Sequence, residues 1–174
     1  MIEFLIRKRL ASEERRLGES LEYMRHILKT SRTAFFRFAK ILPISNYRVK
    51  LPADAYHVAR IVAARAEDCG TCVQIEVNLA QEQNIPTAVL QAVIARQPDL
   101  LPQPLQLIYR FVEAFVTHDV EEHALREQVS AAYGQEGLVE LALAIGASRF
   151  LPMVKRTLGY GVSCSRVAIR VADR

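Results

Sequence analysis

The chain has 174 residues, a mass of 19.6 kDa, 51% hydrophobic and 24% charged residues and a net charge of +4. That length and balance excludes disordered, collagen-like and disulfide-scaffold chains and is enough for one domain with a sizeable core. No apolar run approaches the roughly 18 residues that span a bilayer, and the opening MIEFLIRKRL is too short and wrongly charged for a secretory leader, so the reading is a soluble, cytoplasmic protein with no membrane partner.

In chain order the apolar residues keep helical spacing. Leu17, Leu21, Met24 and Leu28 predict one long amphipathic helix or two over residues 2–30, softened at Gly18. Phe35, Phe36, Phe38, Ile41 and Leu42 form a short apolar helix ended by Pro43, and 44–52 is a loop. Pro52 opens a helix over about 53–66, since proline is tolerated in a first turn. Asp68 offers an N-cap for a helix from Cys69 to about Gln83, and Pro86 starts another over TAVLQAVIA. Prolines 98, 102 and 104 punctuate a loop before a helix over 104–118 striped by Leu105, Ile108, Val112 and Phe115. Leu125, Val129 and Ala132 stripe the next, which Gly134 stops. Leu138, Leu141, Ile145 and Phe150 mark a last long helix, kinked near Pro152. The tail SRVAIRVADR alternates and is read as a short strand, an ordered arm against a partner subunit, or disorder. The fold class is all-α, with a helical extension at 1–30, a domain at 31–160 and a tail at 161–174.

Charge is uneven: residues 1–50 carry 12 Lys/Arg against 5 Asp/Glu, the remainder 11 against 14. A basic front end is a feature of nucleic-acid and anionic-membrane surfaces. Here it is interleaved with Glu13, Glu14, Glu19 and Glu22, the pattern of a solvated helix face, and no nucleic-acid motif accompanies it. No nucleic-acid partner is expected.

Of the three cysteines, Cys69 and Cys72 stand as C-G-T-C at a helix start. One turn apart on one face, they form a dithiol in which one sulfur attacks and the other resolves, and a helix N-terminus favours the thiolate. Glu76 continues that face. Other readings are weaker. Thioredoxin needs a βαβ setting, and these flanks are helical. A zinc site needs two more ligands, and His118 and His123 fall 46 and 51 residues after Cys72. Two core cysteines three apart is the bland alternative. His26 reads as a solvated helix residue, Tyr56 and Tyr133 as core or interface aromatics, and Cys164 as a bystander.

E-D-C-G-T-C-V-Q-I-E, preceded by ADAYHVARIVAARA and followed by LIYRFVEAFVTHD and ALREQVSAAYGQEGLVELALAIGASRF, resembles the carboxymuconolactone decarboxylase and AhpD-like alkylhydroperoxidase superfamily over roughly residues 30–160. The resemblance implies an all-helical, homo-oligomeric protein built around a helical hairpin that carries the CxxC. It implies a thiol peroxidase or disulfide oxidoreductase without metal or prosthetic group. Cys72 would attack a hydroperoxide and become a sulfenic acid, Cys69 would resolve it to a disulfide, and an external dithiol would supply electrons. The family's relay pair is exchanged here: His57 stands twelve residues before Cys69, where the family has Glu, and Glu76 four after Cys72, where it has His. A carboxylate and an imidazole can pass a proton in either arrangement if they meet. An anionic Glu76 disfavours a Cys72 thiolate unless it is protonated or His57 neutralises it. The rivals are a lactone decarboxylase of the same superfamily and a non-catalytic helical binding or redox-sensing module.

Overall fold

The computed structural model describes residues 2–161 and 167–169, and the described part is all-α with no strand. Cys164 and residues 170–174 of the alternating tail lie outside the described residues.

The front end is two helices, α1 (Ile2–Leu17) and α2 (Glu22–Thr30), parted at Gly18, whose φ of 72° is the left-handed conformation glycine adopts without strain. The carboxylate of Glu14 accepts from the Leu21 amide and is ion-paired with Arg25, which fixes the corner between them. Arg16 pairs with Glu13 and, across to the CxxC helix, with Glu82. Part of the basic face is thus tied down within the chain.

Ser31 caps α3 (Arg32–Phe38), its hydroxyl accepting from the Ala34 amide. Pro43, expected to end this apolar stretch, instead sits inside the short α4 (Ile41–Ser45). In a five-residue helix it falls within the first turn, where its missing N–H breaks no helical bond. Pro52 holds the cap position of α5 (Ala53–Arg65), and Glu140, buried, accepts from the Lys50 and Leu51 amides just before it.

Asp68 does not cap the next helix. It takes a left-handed turn at φ 49°, and Cys69 occupies the cap position of α6 (Gly70–Glu82). Four residues, 66–69, join α5 to α6, and the chain reverses within them with the Asp68 side chain turned out to solvent. Beyond it, α7 (Thr87–Ile94), a 3-10 turn (Pro98–Leu100) and α8 (Gln103–Thr117) follow, Pro104 lying in the first turn of α8.

The last helix, α9 (Glu122–Thr157), is continuous in hydrogen bonding but broken in backbone at Gly134 (φ 71°, ψ 173°), and it carries Pro152 inside. By length and composition α9 alone among the described helices could cross a membrane, yet close to half of its apolar window is buried in this fold, as in a core helix.

Helix α5 is the hub: α6, α7, α8 and α9 all pack on it, and ten of its thirteen residues are buried. The main core gathers Val58, Ile61 and Val62 of α5, Val77 of α6, Val93 of α7, Ile108 and Val112 of α8 and Leu141 of α9. A second cluster joins Leu10 and Leu17 of α1, Tyr23, Met24 and Leu28 of α2 and Phe35 of α3 against Ile75 and Leu79 of α6. The first 30 residues therefore pack on the CxxC helix. At the other end, the Gln74 amide donates to the Ala168 carbonyl (2.8 Å) and accepts from its N–H (2.7 Å), so 167–169 lie against α6 of their own chain.

Gly134 offers a clean test of backbone strain, because a Cβ there meets nothing within 4 Å. Gly134→Ala is expected to cost about 1–3 kcal/mol, all of it conformational, read as a lower urea midpoint with unchanged slope.

Candidate functional site

The short turn between α5 and α6 brings the two cysteines to the mouth of the hairpin. Cys69 and Cys72 are joined as a disulfide with Cα atoms 5.2 Å apart, and both are buried. The first turn of α6 starts here, with the Cys72 and Val73 amides both donating to the Cys69 carbonyl. The aligned peptide dipoles give this end of the helix a partial positive charge.

Cys72, but not Cys69, borders a cavity of about 690 Å³. Its walls come from the second cluster, with Leu10, Leu17, Met24, Phe35 and Ile75 among them, and its polar floor from Arg60, Glu76 and Lys155. The apolar front end thus roofs the space into which Cys72 opens.

Glu76 and Arg60 are the electrostatic centre of that floor. Arg60 Nε donates to Glu76 Oε2 at 2.7 Å and Nη2 to Oε1 at 3.0 Å, a two-point match of guanidinium and carboxylate. Both side chains are almost wholly out of water. Nη1 of Arg60 donates to the Tyr56 hydroxyl (2.9 Å) and to the Ser45 carbonyl, which the Tyr56 hydroxyl also meets. The Ser148 hydroxyl of α9 completes the set at 3.4 Å from Glu76 Oε1. Arg60 keeps its proton under all ordinary conditions: burial works against the charge, and the Glu76 carboxylate more than restores it.

His57, expected from the sequence to meet Glu76, is buried beside Tyr56, their rings edge to face at 5.4 Å. Among the described residues its Nδ1 has no hydrogen-bond partner, and the bonds to Glu76 come from Arg60 and Ser148. The carboxylate expected to meet His57 is held by Arg60, three residues further along α5. Burial pushes the His57 imidazole down to about 4, with the neighbouring Arg60 charge adding to the effect and Glu76 opposing it, so the ring is neutral at neutral pH. His57 is therefore not the charge that neutralises Glu76. Arg60 is.

Lys155, near the C-terminus of α9, reaches the CxxC from the other side. Its Nζ donates to Thr71 Oγ1 at 2.6 Å, and Thr71 Oγ1 lies 3.6 Å from Cys69 Sγ. The lysine is buried, with Nζ also 5.9 Å from the centre of the Tyr23 ring. Burial lowers its pKa from the usual lysine value, and Glu19 opposes that.

Arg60 and Lys155 are functional candidates that sequence reasoning passed over. Arg60 had a signal, as a cation in mid-helix flanked by Val58, Ala59, Ile61 and Val62. Lys155 had none, since it stands 84 positions after Thr71.

The remaining histidines lie elsewhere. His118 ends α8 in the left-handed region, His123 stands in the first turn of α9, and exposed His26 meets the Tyr160 hydroxyl at 3.0 Å. Tyr133 is half-buried near Pro104. Among the described residues no three His, Cys, Asp or Glu side chains gather as metal ligands. No family model, curated protein or solved structure matches the chain.

Two outcomes test this geometry. Glu76→Gln leaves the buried Arg60 charge without its counter-ion and is expected to cost about 3–5 kcal/mol, whereas Arg60→Met with Glu76→Leu should recover most of that loss in chemical denaturation. For His57, the unfolded chain takes up a proton below the ordinary value of 6.5 while the native ring resists until about 4. Stability from this residue is therefore full above that window and falls as pH drops through it, by up to about 3 kcal/mol. Urea midpoints measured across the window should fall less steeply for His57→Gln than for the parent.

Proposed function

We propose that the chain is a thiol-dependent oxidoreductase that cycles the Cys69–Cys72 pair, with a hydroperoxide as oxidant and an external dithiol as reductant. The observation that carries this reading is the asymmetry of the pair: Cys72 opens into the 690 Å³ cavity, and Cys69, one turn back at the cap of α6, is closed off behind it. A sulfur that meets a substrate needs access, and one that only resolves needs proximity.

The reaction balances without a cofactor. The Cys72 thiolate attacks the distal peroxide oxygen, the O–O bond breaks, and the leaving alkoxide takes a proton to give the alcohol. Cys72 is now a sulfenic acid. The Cys69 thiolate attacks its sulfur, the S–OH bond breaks, and hydroxide leaves as water after protonation. An external dithiol then reduces the disulfide by two exchange steps and is itself oxidised to a disulfide.

Two features favour the attacking thiolate. The N-terminus of α6 supplies partial positive charge, and Arg60 cancels the Glu76 carboxylate that would otherwise repel it. In this reading Glu76 holds Arg60 in place, and neutral His57 is a packed member of α5 outside the cavity wall. The superfamily resemblance around E-D-C-G-T-C supports the same chemistry, and with it a homo-oligomer in a reducing, cytoplasmic setting where a dithiol stays available.

The test is intact mass after thiol alkylation of the reduced protein, with and without one equivalent of hydroperoxide. The expected outcome is rapid loss of two alkylatable thiols in the parent, and in Cys72→Ser no loss of Cys69. Equal loss in both variants, or none in the parent, overturns the reading.

A further inference from the structure

The dithiol chemistry leaves Lys155 and Thr71 unused, although among the described residues Thr71 is hydrogen-bonded to Cys69 and Lys155 to Thr71. Their order is a directed chain. The Lys155 ammonium has only protons to give, so at 2.6 Å it donates and Thr71 Oγ1 accepts. The Thr71 hydroxyl proton is thereby free to point elsewhere, and Cys69 Sγ lies 3.6 Å away. A sulfur at that distance accepts best as a thiolate, because charge strengthens the hydrogen bond.

We propose that Lys155, acting through the Thr71 hydroxyl, is the positioning residue that holds Cys69 as a thiolate in the reduced protein and as the leaving group when the disulfide is opened. This rests on the dithiol reading above and assigns the regulation of the second sulfur within it.

Cys69 needs such a partner more than Cys72 does. It is 1% exposed, and a thiolate in that position loses its hydration, which the partial charge of the α6 N-terminus offsets only in part. A single cation linked by one hydroxyl compensates that loss. The same contact serves both halves of the cycle. In resolution Cys69 S⁻ attacks the Cys72 sulfenic sulfur, an S–S bond forms, the S–OH bond breaks, and hydroxide leaves as water after taking a solvent proton. In reduction the external dithiol's thiolate attacks Cys72, the S–S bond breaks, and Cys69 departs with the electron pair as the thiolate that Thr71 and Lys155 receive. A leaving thiol of lower pKa leaves faster.

The charges around Lys155 agree with this role. Glu19 faces it from the α1–α2 corner, while Tyr23 of α2 presents a ring whose hydroxyl is pushed up to about 12 by burial and so stays neutral. On the cavity floor Arg60 and Glu76 cancel each other. Behind α6, Glu67 pairs with Arg149, and Arg156 donates to the Glu67 carbonyl. Lys155, itself in no direct ion pair among the described residues, is the cation among these whose hydrogen bond leads through Thr71 to Cys69.

The experiment titrates Cys69 without any oxidant. In a Cys72→Ser, Cys164→Ser background, thiolate ultraviolet absorbance is followed against pH for Lys155, Lys155→Met, Lys155→Arg and Thr71→Val. The expected result is a midpoint raised by about one unit or more in Lys155→Met and Thr71→Val and restored in Lys155→Arg. With both cysteines present, reduction by a small dithiol should slow about three-fold or more in the same two variants. Identical midpoints in all four proteins overturn the proposal. If Lys155→Met loses its helical circular dichroism, Thr71→Val decides alone. Because no peroxide enters the titration, a parent that never cycles with hydroperoxide overturns the peroxidase reading while the Cys69 midpoints still give their own answer.

Discussion

The buried pairing of Arg60 with Glu76 is the interaction on which the rest of this structure depends. Moving two full charges out of water costs several kcal/mol per ion, and attraction between them repays it only with near-complete hydrogen bonding. That requirement reaches well beyond the pair. Arg60 needs the Ser45 carbonyl at the end of α4 and the Tyr56 hydroxyl one turn back on α5. Glu76 needs both guanidinium nitrogens and draws Ser148 from α9. Four helices must stand in register before the charges are tolerable, so misregistered packings are penalised. The same pair floors the cavity beside Cys72. Fold and candidate site are fixed by one constraint.

What the sequence made legible is what backbone and periodicity control. Glycines 18 and 134 mark real breaks because each takes a positive φ that other residues resist. The apolar stripes of α8 and α9 locate their buried faces, since Leu105, Ile108, Val112, Val129 and Leu141 all enter the main core. Where local chemistry misled, a geometric demand won. Asp68 has the side chain of a helix cap, but the hairpin needs a left-handed residue there, and Cys69 takes the cap. Pro43 has the ring of a helix terminator, but α4 is so short that the proline falls in its first turn.

The site was legible in its cysteines and much less in what surrounds them. Helical spacing places Cys69, Cys72 and Glu76 along one helix with certainty, because those positions share a segment. It places His57 on the facing helix but does not choose between His57 and Arg60 as the partner of Glu76. Reach and charge make that choice. A guanidinium offers two parallel donors to a carboxylate, whereas a buried neutral imidazole offers at most one. Lys155 is a tertiary accident from the viewpoint of sequence: nothing in the 83 residues between it and Thr71 encodes the contact, which exists because α9 packs along α5 and brings Lys155 to the start of α6.

These contacts alter the electrostatic argument that the sequence alone allowed. With only Cys72 and Glu76 in view, a carboxylate one turn from a sulfur raises the cost of a thiolate. With Arg60 bound to both oxygens, that carboxylate contributes almost no net field at the cysteines, and the two nearer influences are both positive: the amino end of α6 and the Lys155 ammonium behind Thr71. Arg60, not His57, is therefore the group that offsets the Glu76 charge, and Lys155 from a distant helix adds positive charge on the Thr71 side. His57, relieved of charge, can sit in the apolar heart of α5 as a neutral ring, where a cation would be costly. The local motif and the tertiary fold share one electrostatic task, and the part carried by α9 is the part that no short window of sequence can display.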